Sequence, residues 1–558
     1  KNISNFLPLP IKKIYVDDGR EEEGYLQLKA VLTNKKILPT IKVAYGDIDN
    51  AKWISNPKWD LKVRVLSPKN RNKELLCDAT LSMADEIPKE TIFEHTGFRK
   101  IDGKLVYLHQ GGAIGASKSI SVDISEISLE RYKFTENEYD LKECIELSLS
   151  ILDVAKKQIT IPLIALTYLS PLRSMFLEQN IPLGFVTWVS GESGSQKSSL
   201  SALILSHFGD FERDNLPGGF KDTVNSIEKK AFTLKDTLFA IDDYYPSKTQ
   251  TESKKMDAVA ESLFGLYGDR QARSRMRQDG QTVKMGFCAR GMCIVTGESF
   301  PAFAESRTAR ALIIEMARGD IDLQLLSRIQ SEKDKLSYCM KGYIQYLIDN
   351  QDKIQKNCKA KFIEYRNKAN QNLAHGRIPE IIASEYIGIE LFYEYAKEKI
   401  AQMAEGDQPF AFTMLTVDTH FPRGYKCRLC KDKYNRQYAN VIACADQQVY
   451  DFVEWIKKQD FYKNTTIVIA GDHTTMVDTS DPIWSNLNNN YKRTVYNTII
   501  NADCTYKENV TENRDFSTMD MFPTTLAALG VQIDGNRLGL GTNLFSGQKT
   551  LPEKLGRG

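Results

Sequence analysis

Four apolar runs separated by helical patterns dominate the stretch from about residue 151 to 335. The runs are GFVTWVSG, TLFAIDD, GMCIVTG and ARALIIEM. Short apolar runs that alternate with amphipathic helices are typical of a parallel sheet covered on both faces by helices. The pattern therefore predicts an α/β fold whose core is a parallel sheet.

The flanking regions have different patterns. Residues 1–150 mix strand-like runs (LKVRVL, KLVYLH, SISVDI) with Gly and Pro turns, which predicts a mixed α/β region. Residues 336–398 have a helical period and many Lys and Glu residues. A second α/β alternation fills residues 399–558. It comprises the strand PFAFTMLTV, a helix over 447–459, the strands TTIVIAGDH and VYNTIIN, and the helix MDMFPTTLAALG.

Composition excludes several classes of protein. Of the 558 residues 42% are hydrophobic and 26% charged, which rules out disorder, collagen and coiled coil as the main organisation. The net charge is only +2, so a role on DNA has to be argued from local sites. The most apolar region, 159–190, contains Arg173, Glu178 and prolines, which favours helix and strand over a membrane segment.

The cysteines and the first residue suggest the origin of the chain. Ten cysteines, mostly scattered singly, are typical of reduced thiols in a cytoplasmic protein. Cys427 and Cys430 form a CxxC without a second CxxC or a His at zinc spacing, which favours structural or incidental use over metal binding. Because the chain starts at Lys1 and not at Met, we interpret it as an internal fragment or a processed chain.

The run GFVTWVSGESGSQKSSLSALILSHFG predicts a strand, a loop and a helix. The loop places Gly191, Gly194, Lys197 and Ser198 at P-loop spacing, although Gln196 stands where a glycine usually precedes the lysine. Glycines permit the tight curve that directs backbone N–H groups at a triphosphate. Lys197 would neutralise the phosphates and the Ser198 hydroxyl would ligate Mg²⁺. The loop therefore predicts a site for ATP and Mg²⁺.

Polar residues end two further strands. Asp242 and Asp243 follow the run FAI; Asp242 would hold Mg²⁺ through water, and Asp243 would polarise the attacking water. Thr296 ends GMCIVTG and is suited to contact the γ-phosphate or that water. Arg307 and Arg310 lie beyond it, and either could stabilise transition-state charge, within one subunit or across an interface.

These motifs, in this order, resemble a family of helicase-like P-loop ATPases of phages, plasmids and integrative elements. The resemblance covers about 75–398 and includes HTGFRKIDGKLVYLHQGGAIG, LSHFGDF, TVNSIE, FAIDDYYP and RGMCIVTGE. It implies an AAA+/RecA-like core that hydrolyses ATP in DNA replication. It also implies single-stranded DNA as a partner, a homo-oligomeric ring and a cytoplasmic location.

A second group of candidate residues lies near the carboxyl terminus. His420 follows the predicted strand PFAFTMLTV, and Asp472 and His473 follow TTIVIA. A carboxylate and an imidazole after a strand suit a divalent transition metal. The surrounding segments are QYANVIACADQQVYDFVEWIKKQDFYKNTTIVIAGDH, FSTMDMFPTTLAALG and GNRLGLGTNLFS.

These segments, over about 399–558, resemble the phosphoglycerol transferase and lipoteichoic acid synthase family of the alkaline phosphatase and sulfatase superfamily. The resemblance implies that Asp472 and His473 are ligands of a catalytic Mn²⁺ and that His420 contacts the substrate phosphate. The family's Thr nucleophile and Glu ligand come from an amino-terminal half that this sequence lacks. We therefore expect an incomplete alkaline-phosphatase-like half-domain that is catalytically inactive alone.

The two resemblances imply incompatible locations, because one family acts on DNA in the cytoplasm and the other on lipid-linked substrates outside the membrane. We interpret the chain as a hybrid of two unrelated genes, joined by recombination or by mis-joined sequence assembly. A genuine bifunctional protein is the alternative to a hybrid. For the function, one alternative is a metal-dependent phosphoglycerol transferase of cell-envelope polymer synthesis. Another is a non-catalytic nucleotide-binding protein in which Gln196 has cost the loop its activity.

Overall fold

The fold is described from a computed structural model. It describes residues 2–245, 249–272, 275–276, 283–284, 286–301, 305–370, 377–404, 411, 414, 419, 424–427, 429–471, 473–474, 494–506, 512 and 514–556. The chain divides into two compact units, unit 1 (Lys1–Lys399) and unit 2 (Ile400–Gly558).

Unit 1 begins with a mixed five-stranded sheet that carries its own core. Its elements and those of the adjoining three-stranded sheet are β1 (Phe6–Asp17), β2 (Glu22–Leu32), β3 (Ile41–Ala44), α1 (Lys69–Ser82), β4 (Lys89–Phe93), β5 (Gly97–Ile101), β6 (Lys104–His109), β7 (Gly112–Ile114) and β8 (Ser121–Val122). The sheet order is β3-β2-β1-β4-β8, with β1 antiparallel to β2 and parallel to β4. Trp59 is fully buried there and packs edge-on against Phe6 and Trp53.

One predicted strand of this region is wrong. In LKVRVL, Leu61 is exposed while Val63 is buried, and only Val65 makes an isolated bridge, to Ser4. The alternating pattern misleads here because Asp60–Lys62 forms a 3₁₀ turn at the start of the run.

The centre of unit 1 is a five-stranded sheet with order β10-β11-β14-β9-β15, in which every pairing is parallel. Its elements are α2 (Leu141–Ser150), α3 (Lys157–Leu169), α4 (Arg173–Glu178), β9 (Val186–Ser190), α5 (Lys197–Leu205), β10 (Gly218–Gly219), α6 (Val224–Thr233), β11 (Leu238–Tyr244), α7 (Gln250–Leu263), β12 (Arg275–Met276), β13 (Val283–Lys284), β14 (Met292–Gly297), α8 (Glu305–Thr308) and β15 (Ala311–Glu315). The four predicted apolar runs form β9, β11, β14 and β15, which confirms the predicted parallel α/β class.

Four helices follow the sheet: α9 (Leu323–Ser331), α10 (Asp334–Asp349), α11 (Gln351–Ala369) and α12 (Ile378–Ala404). They share one continuous apolar core with the sheet, extending from Phe98 to Ala396. The sheet strands are therefore covered by helices, which keeps water from β9 and β14.

Asp236, just before β11, is fully buried and fixes how this strand enters the sheet. Its carboxylate accepts hydrogen bonds from the backbone N–H of Phe98 (3.0 Å) and from Ser174, through N (2.8 Å) and Oγ (2.9 Å). It also pairs with Lys235. A buried carboxylate with four donors is satisfied, and the residues that supply them come from separate elements.

In the described residues one helical stretch, Lys157–Glu178, is long and apolar enough to cross a membrane. Its most apolar window is 83% buried inside the protein. Leu163, Leu166 and Leu169 on α3 are fully buried in the core shared with the sheet. The stretch therefore packs as a core helix of unit 1.

Unit 2 contains shorter elements. They are α13 (Gln437–Lys457), β16 (Ile467–Ala470), β17 (Asn497–Ile500), α14 (Thr518–Ala528), β18 (Arg537–Leu538), β19 (Gly541–Thr542) and α15 (Leu551–Leu555). The strands β16 and β17 pair antiparallel. The predicted helix over 447–459 begins ten residues earlier than expected, at Gln437. Most of the predicted strand PFAFTMLTV lies outside the described residues.

Candidate functional site

The loop between β9 and α5 has the tight curve that its glycines predict. A Cβ on Gly191 would lie 2.1 Å from the backbone oxygen of Met316, and Gly194 has a φ of +84°. Gln196 adopts the left-handed conformation, with φ 66° and ψ 22°, and its Oε1 accepts a hydrogen bond from Ser199 Oγ at 2.9 Å. The backbone thus takes at Gln196 a conformation that glycine adopts without strain.

Lys197 is the first residue of α5 and is 9% exposed. Its ammonium donates hydrogen bonds to Gly191 O (2.6 Å), Glu192 O (2.9 Å) and Ser195 Oγ (3.3 Å). Burial lowers the pKa of Lys197, and the negative charges of Glu298, Asp242 and Asp243 oppose this shift. The lysine therefore lies inside the loop with its charge directed at backbone oxygens.

Two hydroxyl groups converge on Asp242 at the carboxyl edge of the sheet. Ser198 Oγ donates to Asp242 Oδ1 at 2.7 Å, and Thr296 Oγ1 donates to the same oxygen. Because β14 lies between β9 and β11 and all three are parallel, their carboxyl ends meet. Three residues predicted from separate motifs are thus in direct contact.

Asp243 lies beside this contact on an irregular piece of strand. The register between β11 and β14 shifts between Ile241 and Tyr244, and Asp243 has a φ of 75°. Its backbone N–H donates to Thr296 Oγ1 at 3.3 Å. Partial burial, and next the charge of Asp242, raise the pKa of the Asp243 carboxyl. This carboxyl holds a proton more readily than an ordinary aspartate does, as a general base requires.

A cavity of about 200 Å³ opens above these groups. Its lining comprises Ser193, Gly194, Gln196, Lys197, Ser198, Ser199, Arg213, Asp242, Asp243, Thr296, Gly297 and Glu298. The sequence analysis missed Arg213 and Glu298. Glu298 could have been found, because it follows Thr296 by two residues at the same strand end. Arg213 lies in a surface turn two residues after the segment LSHFGDF, and its residue type alone does not point to the site.

Arg318 is a further residue that sequence reasoning missed. Its Nε donates to Ser193 O at 3.0 Å and lies 3.5 Å from the carboxylate of Glu192. It follows the carboxyl end of β15, so it lies on the same edge of the sheet as the P-loop. A guanidinium in this place adds positive charge next to the loop.

The two predicted arginines, Arg307 and Arg310, lie at the amino-terminal end of the parallel strands, opposite the end where the P-loop lies. Arg310 immediately precedes β15, whose first residue Ala311 pairs with Val186 at the start of β9. Five residues of strand, roughly 15 Å, separate it from the P-loop edge. Arg310 pairs with Asp269, and Arg307 Nη1 lies 3.3 Å from Glu261. Neither arginine is in the lining of the cavity of its own subunit, and the predicted stabilisation of transition-state charge stays a prediction.

The residues present fit ATP and Mg²⁺. Ser198 and Asp242 offer hard oxygen ligands 2.7 Å apart, the chemistry that Mg²⁺ prefers. Lys197, the loop amides and the start of α5 provide the positive electrostatics that phosphates require.

The candidate metal residues of unit 2 are only partly described. His473 is exposed, and its Nδ1 donates to the backbone oxygen of Thr474 at 2.9 Å. Asp472 and His420 lie outside the described residues. The predicted Mn²⁺ site stays a prediction.

Comparisons with known proteins divide along the chain. The sulfatase family model matches residues 319–531, a range that begins well before the predicted resemblance at 399. Phosphoglycerol transferase I of Escherichia fergusonii is 31% identical over 159 residues, which cover 27% of this chain and 20% of the relative. Phosphoglycerol transferase I of Escherichia coli SMS-3-5 is 32% identical over the same shares. The chain spans about a fifth of the length of these curated relatives.

Helicases are among the solved structures that this chain is similar to. The SCCmec type IV Cch active helicase has a TM-score of 0.46 and 13% identity, with 72% of this chain and 74% of that chain covered. The JCV helicase has a TM-score of 0.19 and 16% identity, with 47% and 72% covered. The parallel sheet and the glycine-containing loop between β9 and α5 make unit 1 an α/β unit with a loop of P-loop spacing. The carboxyl-terminal part resembles phosphoglycerol transferases, which confirms the second resemblance.

Proposed function

We propose that unit 1 is a Mg²⁺-dependent ATPase, a helicase-like motor acting in the cytoplasm on the DNA of a mobile element. The observation that carries this proposal is the convergence of Ser198 and Thr296 on Asp242, next to the buried ammonium of Lys197. A nucleotide site needs a cation, a metal-binding hydroxyl and a carboxylate together, and chance seldom brings all three to one strand edge.

Each residue has a distinct role in hydrolysis. Ser198 and Asp242 would hold Mg²⁺, which neutralises phosphate charge when bound. Lys197 exchanges its loop oxygens for the β- and γ-phosphates. Asp243 orients the attacking water and accepts its proton, a task that its raised pKa favours. Thr296 holds the backbone of Asp243 and one oxygen of Asp242 in register.

In this proposal a neighbouring subunit supplies a further positive charge. Arg310 and Arg307 lie at the edge of the sheet opposite the cavity, so each would act on the site of the next subunit in a homo-oligomeric ring. Single-stranded DNA would be the partner that such a ring encircles.

Gln196 bears on the alternative of a non-catalytic nucleotide-binding protein. Its backbone keeps the left-handed conformation at this position, and its side chain is bonded to Ser199. The curve of the loop is therefore preserved without glycine, which supports a hydrolysing site over a binding-only one.

For unit 2 we propose a phosphoglycerol-transferase-like segment that is catalytically incomplete on its own. The similarity to phosphoglycerol transferase I supports the kinship. The alternative function is a metal-dependent phosphoglycerol transferase acting through Asp472 and His473. It requires a Thr or Ser nucleophile and a Glu ligand close to His473, and release of glycerol phosphate from a phosphatidylglycerol analogue would reveal it.

Hydrolysis of ATP by the full chain tests the main proposal. We expect Mg²⁺-dependent turnover that single-stranded DNA stimulates, and a loss of about 100-fold or more in Lys197→Ala because the phosphates lose their cation. Lys353→Ala, on the exposed face of α11, is the matched control and should keep full activity.

Unchanged turnover in Lys197→Ala would overturn the proposal. Binding of ATP by the wild-type chain without hydrolysis at any DNA concentration would favour the binding-only alternative.

A further inference from the structure

Three cysteines of unit 2 lie close together. In the sequence they come long after the residues that line the nucleotide cavity. Cys427 and Cys430 lie in the loop before α13, and Cys444 lies on the second turn of that helix. Cys427 Sγ is 3.4 Å from Cys444 Sγ and 3.7 Å from Cys430 Sγ, and all three sulfurs lie within 4.8 Å of one another. The third cysteine stands fourteen residues after the CxxC, where no zinc spacing predicts it.

The sulfur separations match a metal site. All ten cysteines of the chain are free thiols. With Zn–S bonds of 2.3 Å, the sulfurs of a tetrahedral site lie about 3.8 Å apart. The observed separations are close to this value, so thiolates could bind one ion with small side-chain adjustments.

A network of backbone contacts holds the loop against the helix. Asn440, which is 3% exposed, donates through Nδ2 to Tyr434 O at 2.7 Å. Its Oδ1 accepts from the backbone N–H of Lys433 (2.9 Å) and Tyr434 (2.7 Å). Gln437 Nε2 donates to Gly424 O at 3.2 Å. The three sulfurs are thus positioned by a fixed loop.

Polar and charged groups surround the three sulfurs, and burial raises the pKa of the Cys430 and Cys444 thiols, so a bound cation would displace their protons. Gln448 Nε2 lies 3.4 Å from Cys444 Sγ and 3.6 Å from Cys427 Sγ, so it can donate to deprotonated sulfur. Cys427 and Cys444 are buried and Cys430 is half-buried, which leaves one side of the cluster open to solvent. Lys426, Lys431 and Lys433 add positive charge along the loop.

We propose that Cys427, Cys430 and Cys444 bind one thiophilic divalent cation of the zinc class, with the fourth position filled by water. Soft sulfur ligands select Zn²⁺ over Mg²⁺ or Mn²⁺. The ion ties the loop to α13. The proposed site does not depend on the proposed ATPase.

Metal binding by the full chain tests this proposal. The reduced protein is stripped with a chelator, loaded with Zn²⁺, desalted and measured by elemental mass spectrometry. We expect one Zn²⁺ per wild-type chain, one in the matched control Cys504→Ser, and a loss of at least tenfold in Cys444→Ser. With Co²⁺ in place of Zn²⁺, sulfur-to-metal charge-transfer bands should appear in the wild type and disappear in Cys444→Ser.

Thiol protection provides a test that needs no variant. Zn²⁺ should shield Cys427, Cys430 and Cys444 from alkylation, and a chelator should expose them again. Equal alkylation with and without Zn²⁺, or equal zinc content in wild type and Cys444→Ser, would overturn the proposal. So would a Cys427–Cys444 disulfide as the sole form of the chain when Zn²⁺ is present.

Discussion

Units 1 and 2 both place polar residues after an apolar strand, with different results. In unit 1, β9 and β14 are interior strands of a five-stranded sheet and almost completely buried. In unit 2, no residue of the paired strands β16 and β17 is fully buried. Thr296 accordingly lies buried against Asp242, whereas His473 is exposed and bonds to the carbonyl of its neighbour.

This difference teaches what the sheet contributes to a site. The helices around β9, β11 and β14 exclude water, and burial accordingly shifts the pKa of Lys197 downward and that of Asp243 upward. A strand end that stays in solvent cannot perturb its polar groups in this way. The same type of sequence pattern therefore predicts a prepared site only where neighbouring strands and helices cover it.

The largest effect is expected from the buried carboxylates that organise each unit. Asp236→Ala should cost unit 1 roughly 3–5 kcal/mol, because Lys235 and the donors from Phe98 and Ser174 lose their acceptor. Urea unfolding followed by circular dichroism measures this cost. The exposed Asp214→Ala is the control.

Asp520 is the buried carboxylate of unit 2 that we compare with Asp236 of unit 1. It is 1% exposed and accepts from the backbone N–H of Thr542 (2.7 Å) and Ser517 (2.8 Å). Asp520→Ala should cost less, about 1–3 kcal/mol, because no cation among the described residues loses an ion pair with it. A larger loss for Asp520→Ala than for Asp236→Ala would contradict the comparison drawn between the units.

A mixing experiment addresses the arginine from the neighbouring subunit. Lys197→Ala and Arg310→Ala should each be inactive in ATP hydrolysis. In an equal mixture, about a quarter of the interfaces would join an intact loop to an intact arginine, so partial turnover should return.

The control is Asp269→Ala, which removes the intramolecular partner of Arg310 but keeps the arginine. It should retain hydrolysis. A mixture as inactive as its components, at a concentration where the wild type assembles, would contradict transfer of the arginine across an interface.

The smallest effect is expected at Gln196. Gln196→Gly should raise the free energy of unfolding by up to about 1 kcal/mol, because glycine adopts the left-handed backbone without strain. Gln196→Ala keeps the strain and loses the bond to Ser199, so it should be slightly less stable than the wild type. Thermal denaturation of the three proteins checks this order. Hydrolysis should change little in Gln196→Gly, and a large gain would show that the glutamine impairs the loop.

Sequence reasoning found the parallel sheet and named Ser198, Asp242 and Thr296 as candidate site residues, because each lies in a local motif; their direct contact is visible only in the structure. It did not find Arg213 or Arg318, whose proximity to the loop depends on how distant segments fold back. Strand register decides at which end of the parallel strands Arg310 lies, and the spacing of motifs in the sequence does not determine that register. Cys444 was missed for the same reason, since a helix brings it to the CxxC.

The strand β15 also has a mechanical consequence. Its carboxyl end touches the P-loop through Met316, whose backbone oxygen confronts Gly191, and its amino end carries Arg310. β15 is an edge strand whose five residues all pair with β9, and this pairing stiffens it along its length. In the proposed ring, a movement of the loop on phosphate release would displace β15, and Arg310 with it, towards the site of the adjacent subunit. The order in which the subunits of the ring hydrolyse ATP would then be set by one short strand and would need no long-range rearrangement.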